Sequence, residues 1–489
     1  MSAPELLLIT PPVHCGVVEV AGRWLPLNML YVAEAARRGG ARPALYDAMS
    51  LFTGWDEIRA QLRARQPRFV GSYAITSTID ACLELGRIVK AEVPGATYIL
   101  GGVHPTFMWR EVLEGPGCPV DFIVRGEGEE TVEELVRALI EQTDPTAVRG
   151  LAWKGAGGRA EASPPRAFLQ DLERYPAAFD IVPDWSTYRY FVIPDSRLAS
   201  VSSSRGCNFT CTFCSQQKFW ERSWRQRDPA PVVEEIRRLH DEHGVNVVLL
   251  TDEYPTPDAA RWEDLLDRLI VLARPVHLLI ETRAPDIVRD RAILAKYRRA
   301  GIVHVYVGLE ATRQDVLDRI SKQASVEEGR DAVRLIREYG MLSETSFVLG
   351  FPDETEETVR QTLEVARFFD PDMAHFIAIT PWPYADIYRE LESGIVVRDY
   401  SKYNLIEPIV KPAAMSLEDI DLAMIRCYRD FYFNRMSSFQ DYPDEFRRHY
   451  MRASMKLIMR SSFVTEKMAR LGVPEGLAKM MTAAPAAML

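Results

Sequence analysis

Along the first 141 positions, short apolar runs alternate with longer amphipathic stretches. Leu6-Leu-Leu-Ile-Thr10 is an unbroken apolar run closed by Pro11-Pro12, which reads as a buried strand and a loop. A helical period follows over residues 27–38 and stops at Gly39-Gly40. Strand signals recur at 44–47, 69–75, 97–100 and 121–124, with helical signals between and after them at 55–65, 79–92 and 130–141. Strands alternating with helices predict an α/β unit with a doubly wound parallel sheet. Ligands of such sheets sit beyond the carboxyl ends of the strands. The loops expected there are Thr10-Pro-Pro, Ala48-Met-Ser, Ala74-Ile-Thr-Ser-Thr, Gly101-Gly-Val-His104 and Arg125-Gly-Glu-Gly-Glu129. They are rich in Gly, Ser and Thr, which permits close approach of a ligand to the backbone.

The pattern changes at residue 142. A strand signal at 148–153, a tight turn at Gly155-Ala-Gly-Gly158 and a Pro-rich passage toward Trp185 and Tyr188 read as a connecting segment. From about residue 198 strand–loop–helix units resume, with strands expected at 201–204, 245–250, 276–280, 304–309, 345–349 and 375–379. Beyond residue 386 the chain is polar and aromatic without a clear period, then helical at 420–436 and 446–468. The expected organisation is therefore 1–145, 146–197, 198–390 and a mainly helical 391–489, with 483–489 frayed.

Composition narrows the picture. A hydrophobic share of 47% with 26% charged residues is that of a globular protein with a large core. A formal net charge of −10 argues against nucleic acid as a partner, since phosphate binding wants a basic face. The start, Met-Ser-Ala-Pro-Glu, has no basic and apolar leader pattern, and no run approaches the roughly 20 apolar residues of a membrane span. Scattered cysteines suit a reducing compartment, so a cytoplasmic location is expected.

Three cysteines are not scattered. Cys207, Cys211 and Cys214 follow Ser203-Ser-Arg-Gly206 at C-x3-C-x2-C spacing. Three thiolates can hold three irons of a [4Fe-4S] cube, whereas full ligation takes four. The fourth iron then stays open to a small chelating substrate. Zinc is the alternative, but zinc sites pair C-x2-C with a second Cys or His pair, and none follows. Cys15, Cys82, Cys118 and Cys427 stand singly, and His240 and His243 read as a solvated helix end.

This motif, with Phe213 just before the last cysteine, resembles the radical S-adenosylmethionine (SAM) superfamily. The resemblance implies a partial (β/α)6 barrel in which the open iron chelates SAM and cleaves it to a 5′-deoxyadenosyl radical. It also implies an external electron donor such as flavodoxin or ferredoxin. By position, Phe213 and Glu253 (or Asp252) would contact SAM, the acid binding its amino group. Arg283 would pair with the carboxylate, Glu310 would reach the ribose, and Val348 and Leu349 would meet the adenine. The first domain resembles the Rossmann-like cobalamin-binding domain of one branch of the superfamily, which holds cobalamin without a lower His ligand. Thr10, Ser72, Gly101, Gly102, His104, Gly126, Glu127 and Gly128 would then line the cobalamin edge. A domain that keeps the fold without the cofactor is the alternative.

Finer segments are similar to the anaerobic oxidative cyclases that close the fifth ring of bacteriochlorophyll on magnesium-protoporphyrin IX monomethyl ester. They are Val20-Ala-Gly-Arg-Trp24, Gly101-Gly-Val-His-Pro-Thr-Phe107, Cys214-Ser-Gln-Gln-Lys-Phe-Trp220, Thr380-Pro-Trp-Pro383 and Asp399-Tyr-Ser-Lys-Tyr-Asn404. Pro105 and Gln217 depart from that pattern. Phe219, Trp220, Trp382, Tyr384 and Tyr403 are candidates to stack on a flat metalloporphyrin at the barrel mouth. The alternatives are a cobalamin-dependent C-methyltransferase and a cobalamin-independent dehydratase or deoxygenase of a sugar-like product. A non-enzymatic corrinoid sensor would need an output domain, and no stretch of the chain reads as one.

Overall fold

Every residue of β1 (Glu5–Thr10) is buried, as an apolar run covered on both faces requires. The computed structural model containing it describes residues 5–13, 21–433, 435, 442, 444–460 and 467. The described residues form two compact units, one drawn from Met1–Cys15, Leu25–Thr187 and Asp399–Tyr403, the other from Gly16–Trp24, Tyr188–Arg398 and Asn404–Leu489.

In the first unit β1 pairs in parallel with β2 (Arg42–Asp47) and β3 (Phe69–Tyr73). β4 (Thr97–Gly101) and β5 (Phe122–Val124) continue the parallel sheet. β6 (Leu151–Lys154) and β7 (Ala160–Ala162) then add antiparallel, giving the order β2-β1-β3-β4-β5-β6-β7. Part of the stretch read as a connector thus extends this sheet, because Phe122 to Val124 leave an edge that Leu151 to Trp153 cover. A helix, Val103–Glu114, starts where Gly101-Gly-Val-His104 reads as a loop. Pro105 masks it in the sequence, yet proline is tolerated in a first helical turn, whose N–H groups have no intrahelical partner.

The second unit holds a six-stranded sheet of β8 (Leu198–Val201), β11 (Val247–Leu250), β12 (His277–Thr282), β13 (Ile302–Val307), β14 (Leu342–Leu349) and β15 (Met373–Ala378). All neighbours are parallel and sequential, the arrangement of an open (β/α)6 barrel. The first strand ends at Val201, earlier than 201–204. Ser204–Gly206 leave the sheet as β9 and pair antiparallel with β10 (Trp224–Gln226). Phe347 and Phe376 stack with centroids 5.7 Å apart, and Phe376 meets Tyr428 and Phe431 of the helix Leu417–Phe433. That parity therefore faces the helices, and the alternate residues face the concave side. The helix Glu445–Arg460 lies across the amino ends of the strands, with Phe446 stacked on His277 and Tyr450 bonded to His304. The remainder of the helix expected to 468, Lys467 apart, and the tail 483–489 lie outside the described residues.

Tyr403 belongs to the first unit and is 1% exposed, its ring edge-on to Tyr400. It is packing and not a mouth residue. No helix among the described residues is long and apolar enough to cross a membrane.

Candidate active site

The cysteine loop is anchored at its base by two acids. The backbone N–H and hydroxyl of Ser203 donate to Asp252 at 2.9 and 2.8 Å, and the Ser204 hydroxyl donates to the same carboxylate. Asp252 is 1% exposed and burial raises its pKa, so it is a loop anchor and not a SAM contact. Glu253 accepts from the Gly206 N–H at 3.1 Å and from Trp220 Nε1 at 2.9 Å, tying together the two stems that flank the cysteines. Trp220 is accordingly buried, while Phe219, Trp382 and Tyr384 are half-buried. Gly206 has φ +98°, and a Cβ there would stand 2.2 Å from the Ser223 carbonyl oxygen. Gly206→Ala should therefore cost about 1–2 kcal/mol for the left-handed backbone alone, with the clash added. A lower urea midpoint and a lower iron content per chain after reconstitution are the expected readings.

Cys207, Cys211 and Cys214 are free and half-buried. Burial pushes all three thiols up, Cys214 to about 12. Two cations oppose this: Arg283 beside Cys207 and Cys211, and Lys322 beside Cys211 and Cys214. The Arg283 guanidinium lies 3.2 Å from the centroid of Phe209 and donates to the carbonyls of Lys322 and Gln323, the latter at 2.8 Å. It thus clamps the loop through Nη2. Lys322 Nζ lies 2.9 Å from Glu310 Oε1 and 5.9 Å from the Phe213 ring. Among the described residues no three His, Cys, Asp or Glu side chains form a single-ion ligand group; a cube, whose irons are separate, does not need one. Three free thiols on one loop, beside two cations that favour thiolate, fit a three-cysteine [4Fe-4S] cluster.

The other SAM candidates cluster at neighbouring strand ends. Glu310 adopts φ +65°, is 8% exposed, and accepts from Lys322 and from the Ser346 hydroxyl at 3.2 Å. Its carbonyl accepts from the Val348 N–H at 2.8 Å. Val348 shares the concave parity of Ser346, whereas the Leu349 side chain is fully buried on the helix-facing side, which leaves only its backbone for an adenine contact.

The concave face carries residues not singled out in the sequence. Glu281 is in register with Tyr306, Tyr306 with Glu344, and Ser346 with His375. The Tyr306 hydroxyl lies 2.7 Å from Ser346 Oγ, and His304 Nε2 lies 2.7 Å from Glu344, which His375 also contacts. The signal was available: β12 to β15 place Glu281, His304, Tyr306, Glu344, Ser346 and His375 at alternate positions that share one face. In a closed core that pattern is costly, so it marks a face left for a ligand.

In the first unit the cobalamin candidates divide. Gly101 and Gly102 end β4, and Gly126, Glu127 and Gly128 follow β5. A Cβ at Gly126 would meet nothing within 4 Å, and one at Gly101 only Val124 O at 3.8 Å, so this edge accepts a close, flat ligand. Gly102 serves the fold, since with φ +104° its Cβ would stand 2.4 Å from the Ala74 carbonyl. Glu127 accepts from the Leu169 N–H at 2.8 Å. Thr10, Ser72 and His104 turn inward. Thr10 donates to Asp47 at 2.7 Å, Ser72 to the Ile9 carbonyl at 2.8 Å, and His104 packs against Tyr400 at 5.0 Å. Burial lowers the His104 pKa to about 4, leaving it neutral near pH 7.

Comparison with known proteins agrees with both units. The Radical SAM superfamily model matches residues 201–366 and the B12 binding domain model residues 13–136. The anaerobic magnesium-protoporphyrin IX monomethyl ester cyclase of Rubrivivax gelatinosus is 37% identical, over 94% of this chain and 83% of that one. An uncharacterized methyltransferase of Pyrococcus horikoshii is 28% identical, over 88% of this chain and 93% of that one. The solved cobalamin-dependent S-adenosylmethionine radical enzyme OxsB, with aqua-cobalamin and S-adenosylmethionine bound, shares the fold at TM-score 0.71 and 16% identity. That likeness covers 98% of this chain and 76% of OxsB. The chain is a radical SAM enzyme that uses a [4Fe-4S] cluster and SAM, with cobalamin supported by its B12-binding domain, and it belongs to the family that includes the anaerobic magnesium-protoporphyrin IX monomethyl ester cyclases.

Proposed function

We propose that this enzyme starts an oxidative ring closure on a metalloporphyrin ester. The observation that carries the reading is the 37% identity to the Rubrivivax cyclase across 94% of the chain. When bound, the cluster and SAM supply a carbon radical that abstracts hydrogen from an unactivated position. The chain's own residues prepare that step. Cys207, Cys211 and Cys214 hold three irons, with Arg283 clamping their loop. Glu253, at the loop's stem, takes the SAM amino group, Glu310 with Lys322 takes the ribose, and Val348 and Phe213 pack on the remaining surface. The β4 and β5 ends, at Gly101, Gly126 and Gly128, hold cobalamin. Trp382, Tyr384 and Phe219, half-buried, are the aromatic surfaces for a flat substrate. A cytoplasmic location and a flavodoxin or ferredoxin donor suit an oxygen-sensitive cluster needing low-potential electrons.

The test is turnover of anaerobically reconstituted protein with SAM, a strong reductant and magnesium-protoporphyrin IX monomethyl ester. The expected result is 5′-deoxyadenosine together with a ring-closed tetrapyrrole in the mass spectrum. S-adenosylhomocysteine and a methylated product would move the assignment to methyl transfer. 5′-Deoxyadenosine with the tetrapyrrole unchanged would reject this substrate.

A further inference from the structure

The helix Gln314–Arg319 ends in a turn that carries Lys322 to the cysteine loop. The N–H of Ser321 donates to the Asp318 carbonyl at 3.0 Å, and that of Lys322 to the Leu317 carbonyl at 2.9 Å. A helix stop with this pair of bonds usually has glycine in its left-handed position, yet Ser321 occupies it at φ +53°. Gln323 follows at φ +51°, and Glu310, the ion-pair partner of Lys322, sits at φ +65°. Three left-handed residues that are not glycine surround one ion pair. Such strain persists where the surrounding contacts enforce it.

Those contacts lead to the cysteines. The Thr212 N–H donates to the Ile320 carbonyl at 3.0 Å, and Gln323 Nε2 donates to Thr210 Oγ1 at 2.8 Å. Both chain neighbours of Cys211 are therefore bonded to the segment that carries Lys322. Arg283 adds its bonds to the carbonyls of Lys322 and Gln323. Lys322 Nζ lies 5.9 Å from the ring of Phe213, the residue before Cys214, and its charge acts on both Cys211 and Cys214. A Cβ on Gly308 would stand 2.8 Å from Lys322 Nζ and 2.6 Å from Glu310 Oε1, so glycine at 308 leaves the room that the pair fills.

We propose that Lys322 sets the reduction potential of the cluster held by Cys207, Cys211 and Cys214, with Glu310 opposing it. An electron entering that cluster from a low-potential donor of the flavodoxin or ferredoxin kind adds one negative charge and needs no proton. A buried cation beside the thiolates favours the added charge, and a buried anion disfavours it. Of the two, Lys322 acts on Cys211 the more strongly, so the field of the pair at the thiols is positive. Arg283 is half-buried and its guanidinium is engaged with the Phe209 ring and two carbonyls, whereas Lys322 is buried and less screened by water. Lys322 is thus a positioning residue for charge. Its role concerns entry of the electron and holds whatever the substrate is.

Redox titration of the reconstituted protein, followed by the electron paramagnetic resonance signal of the reduced cluster, tests this. It is done without SAM, so the outcome is independent of the ribose contact assigned to Glu310. Lys322→Met should make reduction about tenfold less favourable, a fall of about 59 mV for one electron. Glu310→Gln should shift the potential the other way, and the double variant should lie between the two. Lys322→Arg, which keeps the charge, should stay close to the unaltered protein. Loosened packing that admits water would move both single variants in one direction, so opposite signs separate field from fold. An unchanged potential in Lys322→Met, or shifts of one sign in both single variants, would overturn the proposal. So would a Lys322→Arg potential as low as that of Lys322→Met. If Lys322→Met takes up no iron, Glu310→Gln decides: a raised potential supports the role, and an unchanged or lowered one rejects it.

Discussion

Replacing Cys207, Cys211 and Cys214 together by Ala should abolish the visible absorbance of the reconstituted cluster and all formation of 5′-deoxyadenosine. The reason is coordination: the loop offers three sulfurs for three irons. Cys82 is buried among Ile79, Leu85 and Tyr98 in the first unit's core, and Cys427 is buried on the helix Leu417–Phe433. The fold should survive, because Asp252 and Glu253 bind Ser203, Ser204, Gly206 and Trp220 and not the thiols. Unchanged far-ultraviolet circular dichroism with loss of cluster absorbance is the expected pair of readings. Retention of the absorbance by the triple variant would sink the cluster assignment.

Lys322→Met should destabilise the protein by about 3–5 kcal/mol, the usual result of leaving one partner of a buried ion pair behind. Lys322 and Glu310 are both 8% exposed, and Glu310 already sits in a left-handed backbone conformation. Burial works against the Lys322 charge, and Glu310 together with Cys211 more than offsets it, so its pKa is raised. The urea midpoint should fall in Lys322→Met and recover in large part when Glu310→Gln is added, because the stranded carboxylate is then neutral. SAM affinity should not recover in the double variant, since Glu310 is the proposed ribose contact. Additive losses in the two single variants would show that the pair does not act as a unit.

Local order was legible in the chain by itself. Unbroken apolar runs such as Leu6 to Ile9 betray strands buried on both faces, and the helix Leu27–Arg38 shows its period and its glycine stop. The cysteine spacing specified the cluster because ligands on one loop are set by covalent distance. What the chain could not show was which polar side chains stand free. Asp252 and Glu253 are adjacent, but alternation sends one into Ser203 and Ser204 and the other to the loop stem. Val348 and Leu349 are likewise split between the two faces of β14. Thr10, Ser72 and His104, plausible at a ligand edge, satisfy partners 28 or more residues away. The layer of Glu281, Tyr306 and Glu344 comes from three strands separated in the chain by helices. Only strand register brings them onto one face, because distances through space and not along the chain decide which groups meet.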